Sequence, residues 1–159
     1  MACLCNGGLF PRLFWTQSTT DLDVPIVATI TPTEVLRLEP ITTLSGDEVK
    51  LDSMVELDIT IAIAAAATTL TGITYRLERS TNGGAFTTLA SLDIELAIPI
   101  IDVATSETVY PNLTWVDVPG VGTHIYRIVI ETDGTAIAGV ATAIAAETRA
   151  LNALVVREA

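Results

Sequence analysis

A chain of 159 residues with a net charge of −11 is long enough to bury a proper core, and by size it is one domain. Its acidity opposes any approach to a phosphate backbone, so nucleic acid is not an expected partner. Half of the residues are apolar but only 5% are aromatic; threonine (24 residues) and alanine (20) fill the difference. Threonine, valine and isoleucine suit a pleated surface because they branch at Cβ, so the composition predicts an all-β protein. Lysine occurs once, at Lys50, against seven arginines, which leaves strand edges without their usual guard charge.

No secretory leader is recognisable: no basic region precedes Leu9–Trp15, and Pro11 and Arg12 interrupt that stretch. No apolar run reaches about 18 residues, and Ile59–Ala67 is too short, so no transmembrane segment is expected. Work at a cell or spore surface, or outside the cell, then requires lysis or a route other than general secretion.

In chain order, residues 1–20 read as an N-terminal connector arm and residues 21–159 as a single β-sandwich domain. The arm holds both cysteines, Cys3 and Cys5, then Gly7 and Gly8 as a hinge, then the docking candidates Leu9, Phe10, Leu13, Phe14 and Trp15. Three of the eight aromatic residues fall in that last group. Val24–Thr31 and Glu34–Glu39 are the first strand candidates, with Pro25 marking an edge or start and Pro40 a stop. After the turn at Ser45-Gly46-Asp47, Val49, Leu51, Val55, Leu57, Ile59, Ile61 and Ile63 occupy odd positions while charged and polar residues occupy even ones. That period of two predicts a long half-buried strand.

Ile73, Tyr75 and Leu77 alternate in the next strand, and Asn82-Gly83-Gly84 is a hairpin turn, because Asn and Gly tolerate positive φ. Phe86–Leu92 returns. Ala97–Val103 is an edge or bend containing Pro99, and Thr108–Val118 contains a bulge at Pro111. Pro119–Gly122 turns the chain into His124–Thr132, where Tyr126, Ile128 and Ile130 share a face. Residues 136–150 carry helical spacing and many alanines, yet their neighbours favour strand, and strand or extended chain is the reading adopted. The sum is a β-sandwich or jelly roll of about 8–10 antiparallel strands with an extended N-terminal arm.

Tyr75–Thr87, and later Trp115-Val116-Asp117 with Gly122–Ile128, resemble the central hairpin and the later Tyr-bearing strand of fibronectin type III-like domains. That resemblance implies a sandwich and says little of function. The layout as a whole, with Cys3, Cys5 and the Gly7-Gly8 joint ahead of a small sandwich, resembles subunits of bacterial endospore appendages. In that family a cysteine-bearing N-terminal connector bonds to neighbouring subunits. The body here lacks the cysteines those subunits carry, so a partner thiol would come from another arm.

A bridge between Cys3 and Cys5 themselves is strained by their spacing. The open alternatives are an intermolecular disulfide, reduced structural thiols, or metal or lipid attachment. The apolar arm residues either fold back over an open edge of their own sandwich or enter a neighbouring subunit by strand addition or groove docking. Ordering about fifteen residues opposes a burial gain of similar size, so strand hydrogen bonds or a covalent tie must supply the surplus.

His124 reads as a surface histidine, since hydrolase chemistry would need a nucleophile and an acid beside it. Asp47, Glu48, Asp52, Glu56 and Asp58 read as the polar face of the long strand. No calcium loop or phosphate-binding glycine loop is present, so no catalytic, metal or cofactor site is assigned and no enzyme activity is expected. The expected function is a structural subunit that self-assembles into an extracellular or spore-surface filament as a homopolymer, its arm inserting into or cross-linking to its neighbours. The alternative is an adhesive or binding sandwich, a carbohydrate-binding module or a trimeric C1q/TNF-like head.

Overall fold

The computed structural model describes residues 11–157. Along the chain run β1 (Arg12–Ser18), β2 (Leu22–Asp23), β3 (Thr31–Arg37), β4 (Ile41–Thr43), β5 (Asp47–Ile61), β6 (Thr68–Thr81), β7 (Thr87–Ile98), β8 (Thr105–Val109), β9 (Asn112–Asp117), β10 (Gly122–Thr132), the single turn of helix α1 (Gly134–Ile137), and β11 (Ala141–Arg157). One sheet has the order β1-β11-β5-β8, with β2 also on β11 and β9 also on β5; the other has the order β3-β10-β6-β7, with β4 also on β10.

Three of these strand pairs are single strands interrupted. Pro40 separates β3 from β4 and Pro111 separates β8 from β9, each lacking the N–H that a ladder needs. The residues between β1 and β2 divide the third. Counted this way the two sheets hold four strands each, in jelly-roll order.

The spine is the pairing of β5 with β11, which runs antiparallel from Asp47↔Arg157 to Ile61↔Ala141. Along β5, Val49, Leu51, Val55, Leu57, Ile59 and Ile61 are all buried, as the period of two requires. They meet Leu70, Ile73, Tyr75 and Leu77 of β6 and Tyr126, Ile128 and Ile130 of β10 between the sheets. Full burial of each such leucine or isoleucine favours folding by about 1.5–3 kcal/mol.

The hairpin from β6 to β7 turns at Asn82 (φ 52°) and Gly83 (φ 73°), both left-handed, which matches the twist of the two strands. Several expected elements shift. Val24–Thr31 is mostly loop, because Val24 bonds to Ile144 as a single contact before the chain leaves the sheet. Ala97–Val103 mostly leaves the sheet after Ile98, and residues 136–150 divide between the end of α1 and the start of β11.

Because every long strand runs the length of the sandwich, its loops gather at two ends. At one end lie residues 24–30, 62–67, 99–104 and 133–140. At the other lie residues 44–46, 82–86 and 118–121, together with the start of β1 and the end of β11.

Candidate assembly surfaces

Strand β1 holds the part of the expected arm that is described. It pairs antiparallel with β11 from Arg12↔Val155 to Ser18↔Arg149, so Leu13, Phe14 and Trp15 lie in the sheet of their own chain. The arm drawn over residues 1–20 therefore divides. Residues 12–18 are sandwich, and Cys3, Cys5, Gly7, Gly8, Leu9 and Phe10 lie outside the described residues. Alternation along β1 turns Phe14 inward against the core and leaves Leu13 (64% exposed) and Trp15 (62%) on the outer face. Trp15 stands in one cross-strand row with Asn152, Asp52 and Thr114. The other edge of β1 pairs with no strand among the described residues, and it carries no lysine.

Two arginines fasten this edge. Arg149, 6% exposed, sits at the register shift in β11 that follows Ala146. Its Nε donates to the Val35 carbonyl (3.1 Å), Nη2 to Ser18 Oγ (3.1 Å), and Nη1 to the carbonyls of Thr20 (2.8 Å), Glu147 (2.9 Å) and Ala146. Burial lowers its proton affinity, while Asp21 opposes that shift. At the far end of β1, Arg12 Nη2 donates to the Thr42 carbonyl (2.8 Å) and lies 3.5 Å from Asp47.

Asp47 was expected on the polar face of β5 and is instead 2% exposed. As the first residue of that strand it turns into the seam, where it accepts from Arg157 Nε (2.7 Å) and from the Leu44 N–H (2.8 Å). The Arg157 bond outweighs burial and holds its carboxyl below the usual range. Asp52, Glu56 and Asp58 do face outward. Near them Glu147 is raised, first by desolvation and then by Asp21, Glu56 and Asp58. Among the described residues no group of three or more histidine, cysteine or carboxylate side chains is arranged to hold a metal ion.

His124 was expected at the surface and is fully buried. The alternation that places Tyr126 and Ile128 inward places it inward too, four residues earlier than Ile128. Its Nδ1 lies 3.1 Å from Thr81 Oγ1. Desolvation, and then the Arg79 charge, lower its pKa below the ordinary value; a Gly120 backbone contact and Asp117 oppose them. Beside it Tyr126 donates to Asp117 Oδ2 (2.8 Å), and burial followed by that carboxylate raises the Tyr126 hydroxyl.

Both ends of the sandwich expose aliphatic side chains among charged ones. At the end of the 99–104 loop, Ile63 (64% exposed), Ile100 (64%) and Val103 (74%) stand out to solvent among small alanines. The exposed acids there include Asp23, Glu95, Asp102 and Glu107. A shallow groove of about 340 Å³ at this end is lined by Ile30, Gly72, Asp93, Glu95, Glu131 and Asp133. At the opposite end Leu44 (51%), Val118 (66%) and Val121 (66%) are exposed beside the half-exposed side chains of Arg12, Lys50 and Arg157. The sequence held no sign of these ends, because loop residues become neighbours only when the strands align.

No protein-family model matches the chain, and no curated protein is similar to it in sequence. Among solved structures it is similar to a chain in the structure of infectious bursal disease virus Gx strain, with 10% identity and a TM-score of 0.48. The likeness covers 93% of this chain and 32% of that one, so this chain spans about a third of that protein's length. Neither value is high enough to carry function across.

Proposed function

We propose that this chain is a structural subunit that assembles with copies of itself into a filament at a cell or spore surface or outside the cell. Residues 1–10 reach from one subunit to the next, and Cys3 and Cys5 make that joint covalent under oxidising conditions. The observation that carries this reading is the edge strand β1. It is anchored by Phe14, Arg12 and Arg149, presents Leu13 and Trp15 outward, and continues at Pro11 directly into the cysteine-bearing segment. An anchored strand with an unguarded outer edge is a liability in a monomer and a means of contact in a polymer. A heterologous contact of this kind does not close and generates a fibre.

Negative-stain microscopy and denaturing gels with and without reductant test it. Filaments and a reductant-sensitive ladder are expected from the full chain. Deleting residues 2–10 is expected to leave folded subunits that form neither. Deletion to residue 15 is a poorer test, because it would remove half of β1 from the sheet. Filaments unchanged by the shorter deletion would sink the connector role.

A glycan-binding module is the second reading. It is favoured by the exposed Trp15 ring beside Asn152 and Asp52 in one cross-strand row. Calorimetric titration of defined oligosaccharides, with Trp15→Ala as the control, separates it from the first.

A further inference from the structure

We infer that copies of this chain join side by side, β1 of one copy adding to the open edge of β9 in the next, so that the β1-β11-β5-β9 sheet continues from subunit to subunit. This deepens the proposed self-assembly and rests on it. Among the described residues β1 pairs only with β11 and β9 only with β5, so each strand leaves one side open. Neither strand contains a lysine or a proline that would guard that side. Both expose large apolar side chains: Leu13 and Trp15 on β1, Trp115 and Val116 on β9.

The strands between these two edges lie in unbroken register. Cross-strand rows run the whole way, from Arg12-Val155-Val49-Asp117 to Gln17-Ala150-Met54-Asn112. Neighbours alternate in direction across this block of four strands, so β9 and the β1 of a copy carried sideways run antiparallel. In an antiparallel sheet each residue turns both its N–H and its C=O to one side, and successive residues alternate. Because the number of strands is even, the residues of β9 that turn outward stand in the same rows as the residues of β1 that turn outward. The added β1 therefore bonds without a slip in register, and its inward side chains stay on the inner face.

The side chains that meet at this joint are matched. Val116 faces Leu13, Trp115 faces Phe14 and Asn112 faces Gln17, which sets apolar on apolar, ring on ring and amide on amide. The rows between them bring Trp15 to Thr114 and Thr16 to Leu113, with no charge in either. At the last row Asp117 faces Arg12; each has a partner in its own chain, and their opposite signs add no repulsion. The second sheet does not stand in the way. It too is four strands wide along its main path, and β1 lies against β3 as β9 lies against β7, so both sheets end together on each side.

Charges placed in one row of the full chain test the joint. Leu13 and Val116 are more than half exposed, so substitutions there are expected to leave the circular dichroism spectrum and melting temperature unchanged. Leu13→Lys combined with Val116→Lys opposes two ammonium groups at every joint and is expected to abolish filaments in negative stain. Leu13→Lys combined with Val116→Glu opposes unlike charges at the same joints and is expected to restore them. Filaments from both variants alike overturn the edge contact and leave self-assembly standing. Loss of filaments in both overturns the pairing of Leu13 with Val116, and the register with it. A parent chain that forms no filaments overturns the self-assembly reading and this inference together.

Discussion

Asp117, the last residue of β9, accepts from Nη1 of Arg79 on both carboxylate oxygens, at 2.8 and 2.7 Å, and so ties one sheet of the sandwich to the other. The pair lies near the end that holds the 118–121 turn and is largely shielded from solvent, with side-chain exposures of 22% for Arg79 and 9% for Asp117. Tyr126 adds a third bond from the interior. Removing the charge of Asp117 would strand the Arg79 guanidinium, whose Nε is already without a partner. Asp117→Asn is therefore expected to lower unfolding free energy by about 3 kcal/mol. Tyr126→Phe leaves the ion pair in place and is expected to lower it by about 1 kcal/mol. Urea denaturation of both variants checks the order.

The same cluster makes stability depend on pH. The folded state holds His124 below its ordinary pKa, so the unfolded chain binds a proton more readily. The associated stability is fully present above the unfolded value of about 6.5 and is lost as pH falls below it. Asp47 acts lower: its folded pKa is depressed, so its contribution is present above the ordinary carboxylate range and is lost as pH falls through the folded value. Since His124 is the chain's only histidine, a fall in melting temperature between pH 7 and pH 5.5 is expected to disappear in His124→Gln. A fall of the same size in that variant would rule His124 out as its source.

Arg149 holds the β1 edge. Its guanidinium donates to the carbonyls of Ala146 and Glu147 at the β11 bulge, and it crosses to Val35 on the facing sheet. Arg149→Met is expected to lower stability by about 3 kcal/mol, because several buried carbonyls lose their donor together. Arg149→Lys recovers little of that, since an ammonium cannot reproduce the planar fork. Hydrogen exchange should show faster exchange of β1 amides in both variants, before β5 is affected.

Two glycines with the same left-handed backbone are expected to respond differently to alanine. Gly46 (φ 81°) has nothing within 4 Å of an added Cβ, whereas at Gly72 (φ 83°) that atom would lie 2.7 Å from Ala136 Cβ. Gly46→Ala is expected to cost about 1 kcal/mol from backbone strain alone. Gly72→Ala is expected to cost about 3 kcal/mol, because α1 must also move off β6. Thermal unfolding of the two variants side by side measures the difference.

The sequence by itself determined the class of fold. Period-two alternation in β5, the Asn82-Gly83 turn and the inward faces of Tyr75 and Tyr126 are local properties, and local sterics suffice to read them. It also concentrated the cysteines and a group of aromatics near the N-terminus. Only the tertiary structure decided that Phe14 belongs to the core of its own sandwich, because an edge strand is defined by the neighbour it pairs with. The bulges in β11 place inward residues at 141, 144, 146 and 149, a spacing that imitates a helix until β5 lies beside it. His124 already stands in the inward register of Tyr126 and Ile128, whereas Asp47 finds its partner only because Arg157 arrives from the far end of the chain. The two apolar ends have the same origin. Their loops come from separate stretches of the sequence and become single surfaces only when the strands between them align.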